Sequence, residues 1–277
     1  MLNIEKLKVA FPTRSGFVDA VRGVSLTVGR EKLGIVGESG SGKSTVGRAV
    51  MGLLPPQAIV TADELSFEGI DLQRATRGQW RELRGGRIGM VLQDPKYSLN
   101  PVMRVGEQIA ESLRDHQRLR GRDATHRVRE LLRAVRIRDT KRVAASWPHE
   151  LSGGMGQRVM IAMMLAGEPD LLIADEPTSA LDVTVQLQVL AILDDLVSER
   201  GMGLMFISHD LELVATFCDR VAIMYAGRIV EVCRAADLHE AKHPYTRGLL
   251  GCLPRLDRPQ QRLPVLTRDP AWLEDLS

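Results

Sequence analysis

Gly37-Glu38-Ser39-Gly40-Ser41-Gly42-Lys43-Ser44 reads as a glycine, four free positions and then Gly-Lys-Ser, set between the unbroken apolar run 33–36 and the helical pattern 44–54. Glycines at this spacing let the backbone bend round a polyphosphate, so that successive N–H groups and the positive end of the following helix face one anion. Lys43 then reaches the terminal phosphates and Ser44 holds a magnesium ion. A mere Gly/Ser-rich turn rarely places Lys-Ser at a strand-to-helix junction. A strand, a phosphate loop and a helix that bind a nucleoside triphosphate are therefore expected here.

A chain of 277 residues can bury one α/β core with a smaller lobe. Hydrophobic residues at 44% and charged residues at 26% are ordinary for a globular protein, so disorder is expected only towards the end of the chain. The formal net charge of +2 is too small to argue for nucleic acid, although arginine is unevenly placed, and charge alone leaves the partner open; nucleic acid is not counted among the expected partners. Cys218, Cys233 and Cys252 lack the paired spacing of a zinc or disulfide framework and read as reduced cytosolic thiols. The N-terminus runs straight into a strand pattern without a signal-peptide core, and no apolar run approaches the ~20 residues of a membrane span. A membrane role would then be exercised from the cytoplasmic face, through other subunits.

Residues 2–9 and 23–28 alternate like antiparallel strands joined through the turn at Arg14-Ser15-Gly16, whereas 33–36, 88–92, 171–174 and 204–207 are short apolar runs without alternation. Unbroken apolar runs suit strands covered on both faces of a largely parallel sheet, and the helical patterns between them predict a layered α/β core. Between 100 and 147 the texture is helical only. Val105, Ile109 and Leu113 share one stripe, and Val128, Leu131, Leu132 and Val135 follow the i, i+3, i+4, i+7 rule. Their other faces carry nine arginines between 114 and 138, which read mainly as a solvated helix surface because aromatic interleaving is missing. From Pro254 onward Pro259, Pro264 and Pro270 interrupt any periodicity, as in an irregular tail.

The run 171–174 ends in Asp175-Glu176. A strand beside the phosphate loop's own strand delivers both carboxylates towards the γ-phosphate: Asp175 suits magnesium, through water or directly, and Glu176 suits polarising the attacking water. Leu151-Ser152-Gly153-Gly154-Met155-Gly156-Gln157 then places a serine and glycine amides at a second helix N-terminus, a second anion site.

With that last motif the sequence resembles the ATP-binding-cassette (ABC) family, whose signature begins Leu-Ser-Gly-Gly; the likeness runs from Leu2 to about Leu253. It implies a P-loop, RecA-like α/β ATPase core with an N-terminal antiparallel β subdomain and an α-helical subdomain inserted at about 96–160, in a nucleotide-binding domain of residues 1–254 with a tail at 255–277. It also implies a head-to-tail dimer in which Ser152, Gly153 and Gly154 of one chain close on the ATP held by Gly37, Glu38, Ser39, Gly40, Ser41, Gly42, Lys43, Ser44 and Thr45 of the other. Gln93 corresponds to the glutamine that senses magnesium and the γ-phosphate, so the magnesium set is Ser44, Gln93 and Asp175. Ser179-Ala180-Leu181-Asp182 corresponds to the loop crossing the dimer, with Asp182 near nucleotide, and His209 to the switch histidine that orients the water and Glu176. Lys43, Gln93, Glu176 and His209 form the catalytic set. Phe11 sits where the family stacks an aromatic on adenine, and Phe17 is its competitor.

Gln93-Asp94-Pro95, Ser98-Leu99-Asn100-Pro101, Val105-Gly106-Glu107-Gln108, Tyr225-Ala226-Gly227-Arg228-Ile229-Val230-Glu231 and His243-Pro244-Tyr245-Thr246-Arg247 look like the oligopeptide, dipeptide and nickel import ATPases. Met155 is a variant of this branch; Gly156, where an arginine is more usual, departs from it. The absence of cysteine after Cys252 argues against an iron-sulfur cluster and leans the cargo towards nickel or a metal-opine rather than peptide. The partners implied are a second homologous ATPase chain, two transmembrane permease subunits and an external binding protein, at the cytoplasmic face of the inner membrane. The rivals are a soluble ABC ATPase acting on ribosomes or DNA, which usually carries two cassettes or a coiled-coil insertion, and an exporter's ATPase, commonly fused to membrane helices.

Overall fold

The computed structural model describes residues 1–95, 98–179, 181–252 and 272. The chain forms two compact units, one of residues 1–27, 32–69 and 206–277 and the other of residues 28–31 and 70–205. Ala180 and, apart from Trp272, the expected tail from Pro254 lie outside the described residues.

The first unit opens with β1 (Leu2–Thr13) and β2 (Gly16–Val28), both longer than their alternating cores at 2–9 and 23–28. The inward residues of β1 are Leu2, Ile4, Leu7 and Val9, so the alternation skips one position at Lys6, whose φ is 49°. β2 skips likewise between Val21 and Val24, around Gly23 at φ 86°. These irregularities keep apolar side chains on one face despite an extra residue in each strand, which is what a β-bulge does. β5 (Glu64–Phe67) and β4 (Ile59–Thr61) both pair antiparallel with β1, Leu2 opposite Phe67 and Val9 opposite Val60. This is the antiparallel layer.

β3 (Lys32–Val36) pairs in parallel with β10 (Arg220–Tyr225), Leu33 opposite Arg220 and Val36 opposite Ile223, and β11 (Arg228–Arg234) runs antiparallel to β10. Leu33, Ile35, Val221, Ala222 and Ile223 are at most 1% exposed, as unbroken apolar strands covered on both faces must be. α8 (Leu211–Phe217) packs on β3 so closely that a Cβ on Gly34 would fall 2.2 Å from Val214 Cγ1. α1 (Lys43–Val50) follows β3. It stops four residues before the end of its apolar pattern, because Gly52 turns left-handed at φ 59° and its N–H bonds the Ala49 carbonyl.

The second unit contains β6 (Ile70–Asp71), α2 (Arg77–Leu83), β7 (Ile88–Val91), α3 (Val105–Gln117), α4 (Gly121–Ala134), α5 (Thr140–Ala145), α6 (Gly153–Met164), β8 (Leu171–Asp175) and α7 (Val183–Arg200). β7 and β8 are parallel, Ile88 opposite Leu171 and Val91 opposite Ala174. α3 packs against α4, α5 and α6, burying Val105, Ile109, Leu113, Val128, Leu131, Leu132 and Val135, the two stripes expected from periodicity. Within β9 (Gly203–Ser208) the chain passes back to the first unit, where α9 (Pro244–Gly251) is the last helix among the described residues.

The three cysteines are free, and burial pushes the Cys218 thiol up to about 12, which makes it a packing residue. Among the described residues no helix is long and apolar enough to cross a membrane.

Candidate nucleotide site

In the first unit β3 ends at Val36 and the loop 37–42 turns the chain into α1. Gly40 and Gly42 have φ of 80° and 99°, conformations that L side chains rarely adopt. At Gly37 the constraint is space: a Cβ there would lie 2.0 Å from the Met224 carbonyl oxygen of β10. Gly42 is the N-cap of α1 and supplies no side-chain cap, so no side chain competes for the first amides of that helix. Lys43 is 4% exposed, and its ammonium donates to the carbonyl oxygens of Gly37 and Glu38 at 2.8 Å each and lies 3.5 Å from Ser41 Oγ. A triphosphate fits this donor set: glycine-lined amides, an uncapped helix start and a lysine held at the loop, all of which favour negative charge. Ser44 and Thr45 lie in the first turn of α1, half-buried; Ser39 and Gly40 are exposed.

Residues that sequence reasoning treated only as branch markers hold this loop from behind. β10 turns into β11 through Ala226 and Gly227, both left-handed at φ 46° and 85°, as a two-residue hairpin requires. The Gly227 N–H donates to the Ser41 carbonyl at 3.0 Å, while the Gly227 carbonyl accepts from Arg22 of β2 at 2.7 Å. Glu231 on β11 accepts from the Lys242 and His243 N–H groups at 2.7 and 3.3 Å, fixing the start of α9. His243 Nδ1 caps that helix at the Tyr245 N–H, and Pro244 occupies its first turn. The fully buried Tyr245 then presents its hydroxyl to the Glu38 N–H at 3.3 Å, with its ring 4.4 Å from that of Tyr225 and 5.8 Å from that of Trp272. No one-dimensional signal ties Tyr245 to Glu38; a tyrosine after His-Pro at a helix start was the only hint.

Tyr245→Phe is expected to lower stability by ~1 kcal/mol through loss of that hydrogen bond. Denaturant titration should show a lower midpoint at unchanged m; an unchanged midpoint would remove Tyr245 from the loop's support.

His209 follows β9, exposed, and the next residue, Asp210, caps α8 by accepting from the Leu213 N–H at 2.9 Å. Phe11 is half-buried near the end of β1, and Phe17 is 61% exposed at the start of β2.

In the second unit β8 delivers Asp175 at its last position, 3% exposed, followed by Glu176, half-buried. Glu176 has φ 48°, a left-handed conformation costing an ordinary residue on the order of 1–2 kcal/mol, and it precedes Pro177. The turn is held on its far side by Ser179, whose N–H and hydroxyl both donate to the Glu176 carbonyl at 3.3 and 3.2 Å. This bend sends Glu176 away from the line of the strand, and Gln93 Nε2 donates to Glu176 Oε2 at 3.3 Å. Gln93 reaches that position from just beyond β7, the parallel neighbour of β8.

Ser152 is the N-cap of α6, its Oγ accepting from the Met155 N–H at 3.4 Å, and Asp182 is the N-cap of α7, accepting from the Val185 N–H at 3.0 Å. The two helix starts are packed together: a Cβ on Gly154 would fall 2.3 Å from Val185 Cγ1, and one on Gly153 would lie 3.9 Å from Leu181 Cδ2. Gly154 is thus needed for close approach. The departure at Gly156 also has a local reason, since a Cβ there already sits 3.3 Å from Pro95 Cγ. A cavity of about 460 Å³ opens beside this packing, lined by Gln93, Pro95, Leu99, Ser152 and Gln157 among others. The Gln157 amide, 1% exposed, has no hydrogen-bond partner for Nε2 among the described residues.

Residues 21–179 match the family model described as ABC transporter. A protein named as a probable peptide ABC transporter ATP-binding protein, y4tR of Sinorhizobium fredii, is 48% identical over 96% of this chain and 81% of its own length. The dipeptide transport ATP-binding protein DppD of Bacillus subtilis is 45% identical over 93% of this chain and 78% of its own. Among solved structures, the dimeric post-hydrolysis ATP-binding cassette MJ0796 with ADP and Pi is 26% identical, with a TM-score of 0.76 over 85% of this chain and 99% of that one. The chain thus carries a glycine loop with an uncapped helix start, a carboxylate pair at the end of a buried strand and a serine-capped Gly-Gly helix. The chain belongs to the ABC transporter family and is one of its ATP-hydrolysing cassettes.

Proposed function

We propose that the chain powers peptide import at the cytoplasmic face of a membrane, as a peripheral subunit beneath two permease subunits served by an external binding protein. The names of its relatives, peptide and dipeptide transport ATP-binding proteins, favour peptides over the nickel or metal-opine cargo towards which the missing cysteines lean. The observation that carries the catalytic reading is the Gln93–Glu176 contact at 3.3 Å on a strained turn, which holds one carboxylate apart from the buried Asp175.

In this reading the loop 37–45 and Lys43 bind the phosphates of ATP, with Phe11 or Phe17 against adenine. Ser44, Gln93 and Asp175 hold magnesium, which neutralises phosphate charge when bound. Glu176 accepts a proton from water as its oxygen bonds the γ-phosphorus, and the bond to the β–γ bridging oxygen breaks, leaving ADP and phosphate. His209 orients that water and Glu176. Residues 152–154 complete the pocket of a second, homologous cassette in a head-to-tail dimer, with Asp182 beside the crossing; the dimeric state of the similar cassette supports this arrangement. The 460 Å³ cavity near Gln93 is where a permease segment couples to the cycle.

Because each pocket borrows Ser152 from another chain, ATP turnover per chain should rise steeply with protein concentration. Ser152→Ala should lower turnover while leaving ATP binding to the single chain intact. Full turnover per chain at high dilution, measured by phosphate release, would overturn the shared pocket.

A further inference from the structure

Eight of the nine arginines between 114 and 138 are exposed, on helices or in the connections between them, and some of the nine are paired: Arg127 with Glu130 and Glu168, and Arg136 with Asp195. A subset is arranged differently. The C-terminal half of α2, the loop before β7, the last turn of α3 and the α3–α4 connection line a cavity of about 910 Å³, all within the second unit. Five arginines line it, Arg81, Arg87, Arg114, Arg118 and Arg120, against two carboxylates, Glu82 and Asp115. Arg87 is bound to Asp170, and Arg114 is shared between Glu111 at 3.6 Å and Asp115 at 4.0 Å. Arg81, Arg118 and Arg120 make no ion pair among the described residues.

The wall between these charges is backbone. A Cβ on Gly167 would fall 1.6 Å from the Gly85 carbonyl oxygen, and one on Gly85 would fall 2.7 Å from His116 Nε2, so the loop and the imidazole are in close contact. Arg118 ends α3 in a left-handed conformation, φ 59°, a position where glycine is the usual residue. The chain thus accepts an unfavourable arginine geometry in a tight connection that gives two of the three unpaired guanidinium groups to one concavity.

We propose that this cavity is a binding site for a soluble phosphate-bearing polyanion, separate from the phosphate loop. Guanidinium forks match phosphate oxygens bidentately, and an anion with several such oxygens can engage the exposed Arg81, Arg118 and Arg120 together. The volume is that of a small-ligand pocket. A membrane surface is the poorer fit, because none of the exposed large apolar residues lies in the lining. Nucleic acid is poorer still, because no Phe, Tyr or Trp lines the site for bases to stack on and the imidazole of His116 is packed against the Gly85–Gly86 loop.

The test is calorimetric titration of inorganic tripolyphosphate into the full chain carrying Lys43→Ala, which weakens the phosphate loop. One saturable site is expected, weakening as salt rises. Adding Arg81→Glu, Arg118→Glu and Arg120→Glu should lower that affinity by about tenfold or more. The same triple change with Lys43 intact should leave ATP turnover unchanged, which also shows that the chain folds. Arg118→Gln alone, expected to weaken tripolyphosphate several-fold, serves if the triple variant does not fold. No saturable binding, or binding indifferent to the arginines, overturns the proposal. So does arginine-dependent capture by phosphatidylglycerol vesicles without any tripolyphosphate binding, which would make the surface a lipid contact.

Discussion

Glu176→Gln is expected to reduce ATP turnover by about 10²–10⁴-fold, the range a positioned general base contributes, while ATP binding stays near its original strength. The amide keeps the shape of the carboxylate and an oxygen able to accept from Gln93 Nε2, now at 3.3 Å from Glu176 Oε2, but it cannot take a proton from water. The Ser179 contacts to the Glu176 carbonyl are main-chain contacts and are untouched, so the turn and its left-handed residue should persist. With binding intact and cleavage blocked, ATP should hold cassettes together, visible as a nucleotide-dependent dimer in size-exclusion chromatography. If turnover fell less than tenfold, another group would be activating the water, and the Gln93–Glu176 contact would be structural.

Lys43→Ala is expected to act on the other side of the cycle, weakening ATP binding itself by about 10- to 100-fold, the equivalent of losing one hydrogen-bonding charge worth ~1.5–3 kcal/mol. Lys43 is buried and already donates to the Gly37 and Glu38 carbonyls, so its loss also frees two acceptors that shape the loop. Lys43→Met separates the effects: it fills most of the space without donating. Comparable binding losses in both variants, with a lower melting temperature mainly in Lys43→Ala, would assign the affinity to charge. Unchanged equilibrium binding of ATP in Lys43→Met would show that the loop amides and the α1 terminus suffice.

Much of this molecule was legible in one dimension because the signals are short-range. Glycines at 40 and 42 are demanded by backbone angles that no side chain tolerates well, and the apolar runs of β3, β7, β8 and β9 are unbroken because those strands are buried on both faces. The stripes of α3 and α4 likewise follow from a helical period of 3.6 residues. The errors were at element ends. α1 ends at Val50, just before the left-handed Gly52, β1 and β2 extend past 2–9 and 23–28, and bulges at Lys6 and Gly23 interrupt the period of two without breaking either strand. Ser152 and Asp182 also carry helix caps, an ordinary structural duty for residues of those types.

The sequence alone determined the phosphate loop, the carboxylate pair and the signature helix, since each is a contiguous stretch whose chemistry depends on neighbours one to four residues away. Only tertiary structure decided what braces them: Gly227 and Tyr245 bond to the loop from 186 and 207 residues along the chain, and Gln93 meets Glu176 across a separation of 83. Only tertiary structure gathered Arg81, Arg118 and Arg120 round one cavity as well. The physical reason is the same throughout. Bends, caps and burial periods are properties of the local backbone, whereas a hydrogen bond or a shared cavity between distant residues exists only once packing has chosen which segments meet.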